Sequence, residues 1–94
     1  MKSRTATRKI PGGKMVRIET TFDKRVESVK ITGDFFLHPE ETLELIVNKI
    51  TGNLLPLDQE KIILEIETIL DQQEAQFIGA NAREIVNILV EALQ

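Results

Sequence analysis

The first third of the chain alternates between apolar and polar residues, which is the pattern of β-strands. The run from Lys14 to Phe22 alternates throughout, and a second run from Arg25 to Leu37 does the same. An upstream segment, Thr5 to Ile10, is a third strand candidate, which the Pro11-Gly12-Gly13 turn would end. The apolar face is expected to carry Val16, Ile18, Thr20 and Phe22 from the first run and Val29, Ile31, Gly33 and Phe35 from the second.

The two runs meet at Asp23-Lys24, which predicts a hairpin with either a tight turn or a looser four-residue loop. Residues directly opposite each other share a face, so even positions on the first strand pair with odd positions on the second. Closing the hairpin tightly places Lys14 opposite Gly33 and Gly13 opposite Asp34. We therefore expect the glycine turn to lie beside the segment 33–36.

The remaining residues, 39–94, predict three helices. Pro39 suits the start of the first helix and Gly52 its end, and Asp58 is a candidate cap for the second. After a brief extended stretch at 76–79, Asn81 and Glu84 form a candidate capping box for the last helix. The expected inward positions are Leu43, Ile46, Val47 and Ile50, then Ile62, Ile66, Ile69 and Leu70, then Ile85, Ile88, Leu89 and Ala92.

Strands at about 5–37 followed by helices at about 39–94 predict one α+β domain over residues 1–94. A small antiparallel sheet of two or three strands would carry about three helices on one face. Phe35 would then point into the core, and its neighbour Phe36 onto the uncovered face near Met15.

The composition excludes several kinds of catalytic and metal-binding site. The 94 residues include no cysteine and a single histidine, His38, which excludes disulfides, thiol catalysis, cysteine-bound iron–sulfur clusters and a histidine metal centre. The apolar runs are too short for a signal peptide or a membrane span, so the expected compartment is the cytoplasm. His38 precedes Pro39 and is interpreted as a turn or helix-cap residue. No catalytic set and no metal site is predicted.

Charge is divided unevenly along the chain. Residues 1–30 carry a net charge of +6 and residues 31–94 a net charge of −9. Such a division is consistent with an unevenly charged solvated surface, and equally with a basic end that meets an anionic partner.

One glycine-rich stretch could bind an anion. In Pro11-Gly12-Gly13-Lys14, the glycines allow close approach to the backbone N–H groups and the lysine adds positive charge. It lacks the spacing of a P-loop, and a simple turn between strands also explains it. The neighbouring Gly33-Asp34-Phe35-Phe36 run is either part of the same site or a glycine bulge followed by aromatic residues that close the core.

These motifs together resemble a known family. The order Lys9-x-Pro11-Gly12-Gly13-Lys14, a basic hairpin, Lys30-x-x-Gly33-Asp34-Phe35-Phe36 and then helices is similar to the C-terminal accessory domain of lipoate–protein ligases. It resembles in particular the archaeal form in which this domain is a separate small subunit. The similarity covers essentially residues 5–94. The chain departs from many members by Leu37-His38-Pro39 after the aromatic pair and by a hairpin without glycine.

The resemblance implies a role. Such ligases use ATP with Mg²⁺ to activate lipoate to lipoyl-AMP and then transfer the lipoyl group to a lysine of a lipoyl domain. The lipoate pocket and catalytic lysine belong to a large subunit, with which this chain would form a heterodimer. This chain would be needed chiefly for the activation step, and it would bind no cofactor by itself. The residues expected to contact the nucleotide or the partner are Lys9, Gly12, Gly13, Lys14, Gly33, Asp34 and Phe36.

Two other classes of function stay open on the residues alone. A nucleic-acid-binding module could use the basic strands, but the chain has no Tyr or Trp for base stacking and is acidic overall. An iron–sulfur assembly scaffold can have a similar two-layer shape, but this chain lacks the cysteine for that chemistry. Neither a nucleic acid nor a membrane is expected as a partner.

Overall fold

Three antiparallel strands form the main sheet, in the order β1-β2-β3. The structure is a computed structural model that describes residues 1–12 and 14–94. The strands are β1 (Lys2–Ile10), β2 (Lys14–Phe22) and β3 (Val26–Gly33). β2 has the predicted bounds, whereas β1 begins three residues before the predicted Thr5. The α+β fold class is confirmed.

Three helices follow, with a short strand between the last two: α1 (Glu41–Ile50), α2 (Gln59–Gln72) and α3 (Ala82–Ala92). The predicted caps of α2 and α3 are confirmed, because the side chain of Asp58 accepts a hydrogen bond from the Lys61 N–H and that of Asn81 from the Glu84 N–H. Across the α2–α3 interface, Arg83 donates two hydrogen bonds of 3.2 Å to the Glu60 carboxylate, which raises the pKa of Arg83.

The core lies between the helices and one face of the main sheet. α3 packs on β1 and β2, α1 packs on β3, and α2 packs against both other helices. Full burial of an aliphatic side chain contributes roughly 1.5–3 kcal/mol to the stability of the folded state, so the buried aliphatic residues of this core supply much of that stability. The largest fully buried apolar residues are Ile18, Ile50, Ile62, Ile66, Leu89, Val16, Val26 and Val86.

The predicted β2–β3 register is wrong by two residues. Val16, rather than Lys14, lies opposite Gly33, and a bulge between Thr21 and Phe22 brings Phe22 opposite Val26. A shift of two residues keeps every side chain on its predicted face, so the predicted apolar face of β2 is confirmed.

The cause of the shift lies far along the chain. The segment after α1 pairs with the end of the hairpin, through hydrogen bonds of 3.0 Å from the Val26 N–H to Asn53 O and 2.9 Å from the Leu55 N–H to Lys24 O. Residues 24–26 are therefore held by this distant segment, and the hairpin closes over a three-residue loop, 23–25, with Phe22 opposite Val26.

The second predicted strand is also wrong in extent, because it ends at Gly33 and does not continue to Leu37. The chain then forms a separate strand, β4 (Phe36–His38), which pairs antiparallel with β5 (Gln76–Ile78). The predicted extended stretch near 76–79 is thus one half of a second, two-stranded sheet. His38 ends β4, so its interpretation as a turn or helix-cap residue is wrong.

Candidate functional site

The ends of β2 and β3 meet the link between β5 and α3 at one corner of the molecule. The Asp34 N–H donates a 2.8 Å hydrogen bond to Met15 O, which continues the β2–β3 pairing one residue beyond Gly33. We name the residues Lys14, Met15, Gly33, Asp34 and Gly79 the glycine corner. The expected neighbourhood of Lys14 and the 33–34 segment is thus present, in a different register. The prediction for Gly13 lies outside the described residues.

Close backbone packing explains both glycines of the corner. A Cβ atom on Gly33 would lie 2.3 Å from Met15 O, closer than any side chain can approach. Gly79 has a positive φ of 97°, and a Cβ atom there would lie 3.3 Å from Asp34 O and 3.5 Å from the Lys14 Cγ. The corner therefore brings backbone from three segments together, which requires a residue without a side chain at Gly33 and favours one at Gly79.

Beside the corner, the small sheet exposes apolar side chains. Phe36 and Ile78 lie directly opposite each other and are 51% and 60% exposed. The His38 ring stacks on Phe36 with centroids 6.2 Å apart and an interplanar angle of 12°. We name Phe36, His38 and Ile78 the exposed aromatic face. The predicted exposure of Phe36 is confirmed, and Met15 in the adjoining corner is also exposed, at 41%.

The inner side of the small sheet attaches it to the rest of the protein. Phe35, just before β4, packs edge-to-face on Phe77 with centroids 5.6 Å apart. Phe35, Leu37 and Phe77 are half-buried and contact the core. Phe35 therefore lies at the margin of the core, whereas full core burial was expected.

The remaining predicted site residues lie on the other side of β2. Lys9 is opposite Met15 in the β1–β2 ladder, and Gly12 occupies the exposed turn. Lys9 lines a shallow pocket of about 160 Å³ between the end of β1 and α3, whose other lining residues are Arg8, Ile10, Pro11, Glu84, Asn87 and Ile88. Across the sheet, Lys9 and Asp34 thus flank Met15 from opposite sides.

Ile78 and Gly79 are the site residues that sequence reasoning missed. Both lie in the stretch that was predicted only as extended, and the available signal was a glycine directly after two apolar residues. Their proximity to Phe36 and Asp34 follows from the pairing of β4 with β5, about forty residues apart, which no local pattern contains.

Within 1–12 and 14–94, no three or more His, Asp or Glu side chains come close enough to hold a metal ion. Over the same residues, none of the helices has both the length and the apolar character needed to cross a membrane.

Comparison with known proteins gives one informative match. No protein-family model matches the sequence, and no curated protein is similar enough to count as a relative. A chain of a solved structure is similar in fold, with a TM-score of 0.67 and 23% identity. That structure is described as an archaeal lipoylation system, a bi-partite lipoate protein ligase and its E2 lipoyl domain from Thermoplasma acidophilum. The alignment covers 95% of this chain and 93% of the other, and confirms the resemblance at the level of fold.

Proposed function

We propose that this chain is the accessory subunit of a two-chain lipoate–protein ligase and is required for the ATP-dependent activation of lipoate to lipoyl-AMP. The observation that carries the proposal is the near-complete overlap, 95% and 93% of the two chains, with a chain of the archaeal bi-partite ligase structure. Lys14 and the Gly33-Asp34-Phe35-Phe36 run, which belong to the motifs that carry the resemblance, lie around one corner of that shared fold.

In this proposal the large subunit supplies the lipoate pocket and the catalytic lysine, and the lipoyl domain is the acceptor of the complex. The accessory chain supplies contacts that help to position two anionic reactants, ATP and lipoate, for adenylation. Positioning of this kind lowers the barrier because the entropy cost of bringing the reactants together is met on binding.

The exposed aromatic face supports a docking role. An isolated exposed apolar residue is common and needs no explanation, but here Phe36 and Ile78 are neighbours and more than half exposed. Aromatic residues of this kind are frequent anchors of protein interfaces. The proposal assigns Phe36 and Ile78 to contact with the large subunit.

The basic residues at and beside the glycine corner are proposed to contact anionic groups. The proposal assigns Lys9, Lys14 and the turn around Gly12 to contact with nucleotide phosphates or with acidic residues of the partner. Both lysines are exposed, which leaves their charges accessible. Backbone N–H groups and lysine side chains suit either kind of anionic oxygen.

Complex formation is the first test. This protein is mixed with the candidate large ligase subunit encoded in the same genome, and the mixture is analysed by size-exclusion chromatography with light scattering. A single one-to-one species at micromolar concentration is expected. Two independent peaks at that concentration would contradict the proposal.

The half-reactions provide the second test. Without this chain, the large subunit is expected to lose lipoyl-AMP formation and to retain transfer from added lipoyl-AMP to a lipoyl domain. Equal loss of both steps would mean that the chain only stabilises its partner, and the proposed role in activation would be wrong.

A further inference from the structure

The two outer edges of the main sheet differ. At the β3 edge, residues 24–26 are covered by the segment after α1, through the Arg25–Leu54 bridge and its flanking hydrogen bonds. At the outer edge of β1, by contrast, no strand other than β2 pairs with any of the nine residues from Lys2 to Ile10, as far as the described part of the chain shows. β1 is also regular, because it pairs with β2 over its whole length without a bulge.

The free hydrogen-bonding groups of this edge can be identified. In a strand, the backbone groups of alternate residues point to opposite edges. Met15 O accepts a hydrogen bond from Asp34 on the β3 side, so the backbone of Met15 and of every second residue of β2 points away from β1. Each of these β2 residues forms a non-hydrogen-bonded pair with the β1 residue opposite it. In such a pair the backbone groups of both residues point away from each other, so those β1 residues direct their N–H and C=O groups to the open edge. They are Ser3, Thr5, Thr7 and Lys9.

The charge of β1 indicates what can bind there. The strand carries Lys2, Arg4, Arg8 and Lys9 and no acidic residue. Arg8 forms a 2.6 Å ion pair with Glu91 of α3, and no other basic residue of β1 has such a partner among the residues described. An added strand would therefore lie beside an uncompensated positive charge.

A second copy of this chain is a poor occupant for that reason. A second β1 strand would bring four more basic residues and no acidic one. In the register centred on Ala6, it would also place Arg4 of each copy opposite Arg8 of the other, and like charges directly opposite each other are destabilising. Basic residues on an edge strand commonly prevent such self-association. The same charges favour a strand that brings acidic side chains.

We infer that the β1 edge binds an extended, acidic segment of the large ligase subunit as a fourth antiparallel strand of the sheet. This inference rests on the proposed function, since it names how the proposed partner is held. The added strand accepts hydrogen bonds from Ser3, Thr5, Thr7 and Lys9, and its acidic side chains lie near Lys2, Arg4 and Lys9. Strand addition to an exposed edge is a recurrent mode of peptide recognition.

Amide hydrogen exchange tests the inference residue by residue. The isotopically labelled chain is measured by NMR alone and in complex with the large subunit. In the free chain, the four outward amides of Ser3, Thr5, Thr7 and Lys9 exchange quickly, whereas those of Arg4, Ala6 and Arg8 are already protected by the ladder. In the complex, exchange of the outward four is expected to slow by about tenfold or more, as for amides newly hydrogen-bonded in a sheet.

The outcomes separate the two proposals. A complex in which the four outward amides exchange at the free rate would overturn the edge inference and leave the accessory role intact. Failure to form any complex would overturn the proposed function and the edge inference together.

A variant gives an independent readout. Thr7→Pro removes one outward N–H without removing a ladder hydrogen bond, a change that edge strands tolerate. It is expected to raise the Kd for the large subunit about tenfold, since one interface hydrogen bond is lost and the added strand meets the proline ring. The matched control Thr7→Ala keeps the N–H and is expected to bind within about twofold of the unaltered chain. Equal affinity of the two variants, both shown by circular dichroism to be folded, would overturn the inference.

Discussion

The two sheets of this protein use apolar residues in different ways. In the three-stranded sheet, the apolar side chains other than Met15 lie on the face that the helices cover, and Val16 and Ile18 are completely buried. In the two-stranded sheet both faces carry apolar side chains: Leu37 and Phe77 contact the core, whereas Phe36 and Ile78 point outward. The outward pair adds little to folding because it stays in contact with water. The first sheet therefore supplies much of the core, whereas the outer face of the second leaves apolar side chains accessible, as the proposed docking role requires.

The same substitution in both sheets tests the comparison most strongly. Ile18→Ala removes a fully buried side chain and is expected to lower the free energy of unfolding by about 3–4 kcal/mol. Ile78→Ala, at a position 60% exposed, is expected to cost less than about 1 kcal/mol. Urea unfolding followed by circular dichroism measures both. Similar losses for the two variants would show that the small sheet is as much a part of the core as β2.

The junction between the two sheets should also be sensitive. Gly33→Ala is expected to lower the free energy of unfolding by about 3 kcal/mol, because the new Cβ overlaps Met15 O and forces the backbone apart. The matched control Gly12→Ala meets nothing within 4 Å and is expected to cost about 1 kcal/mol, from its positive φ alone. Thermal and urea unfolding measure both variants. A larger loss of unfolding free energy for Gly12→Ala than for Gly33→Ala would contradict this account.

Phe35 marks the boundary between the two uses of apolar residues. It is half-buried, and its ring packs edge-to-face on Phe77. We expect Phe35→Ala to cost about 2–3 kcal/mol, below the range of a fully buried phenylalanine, because part of the ring already contacts water. A loss of less than 0.5 kcal/mol in urea unfolding (roughly the scale of a surface substitution) would place Phe35 outside the core.

Phe36 should separate binding from stability. Phe36→Ala is expected to weaken binding to the large subunit by about 1–3 kcal/mol, as for an interface anchor, with less than about 0.5 kcal/mol lost in folding. Calorimetric titration and urea unfolding measure the two quantities. The control is Leu64→Ala, which removes an exposed leucine of α2 and should leave affinity unchanged. Equal affinities for both variants would remove the exposed aromatic face from the proposed interface.

The features that were predicted correctly depend on local patterns. The alternation over 14–22 defined β2 and its buried face, and the side chains of Asp58 and Asn81 identified the starts of α2 and α3. Each of these signals lies within a few residues of the structure that it specifies, so tertiary contacts had little opportunity to alter it.

The features that were missed depend on contacts between distant segments. The β2–β3 register differs from the predicted one where residues 24–26 bind the segment after α1. The predicted second strand is divided into β3 and β4, and β4 pairs with β5. For Phe36, alternation along the chain was enough to predict exposure. Its position beside Ile78 required the pairing of two strands about forty residues apart, and for that reason the site was predicted only in part.

The central claim is that this chain completes the activation step of a two-chain ligase. The most direct measurement is lipoyl-AMP formation by a fixed amount of large subunit, with ATP, Mg²⁺ and lipoate, as this protein is added in steps. The account predicts negligible adenylate without the chain, a rate that rises with each addition, and saturation at one equivalent. A large subunit that forms lipoyl-AMP at its full rate alone, unchanged by saturating amounts of this protein, would contradict the account.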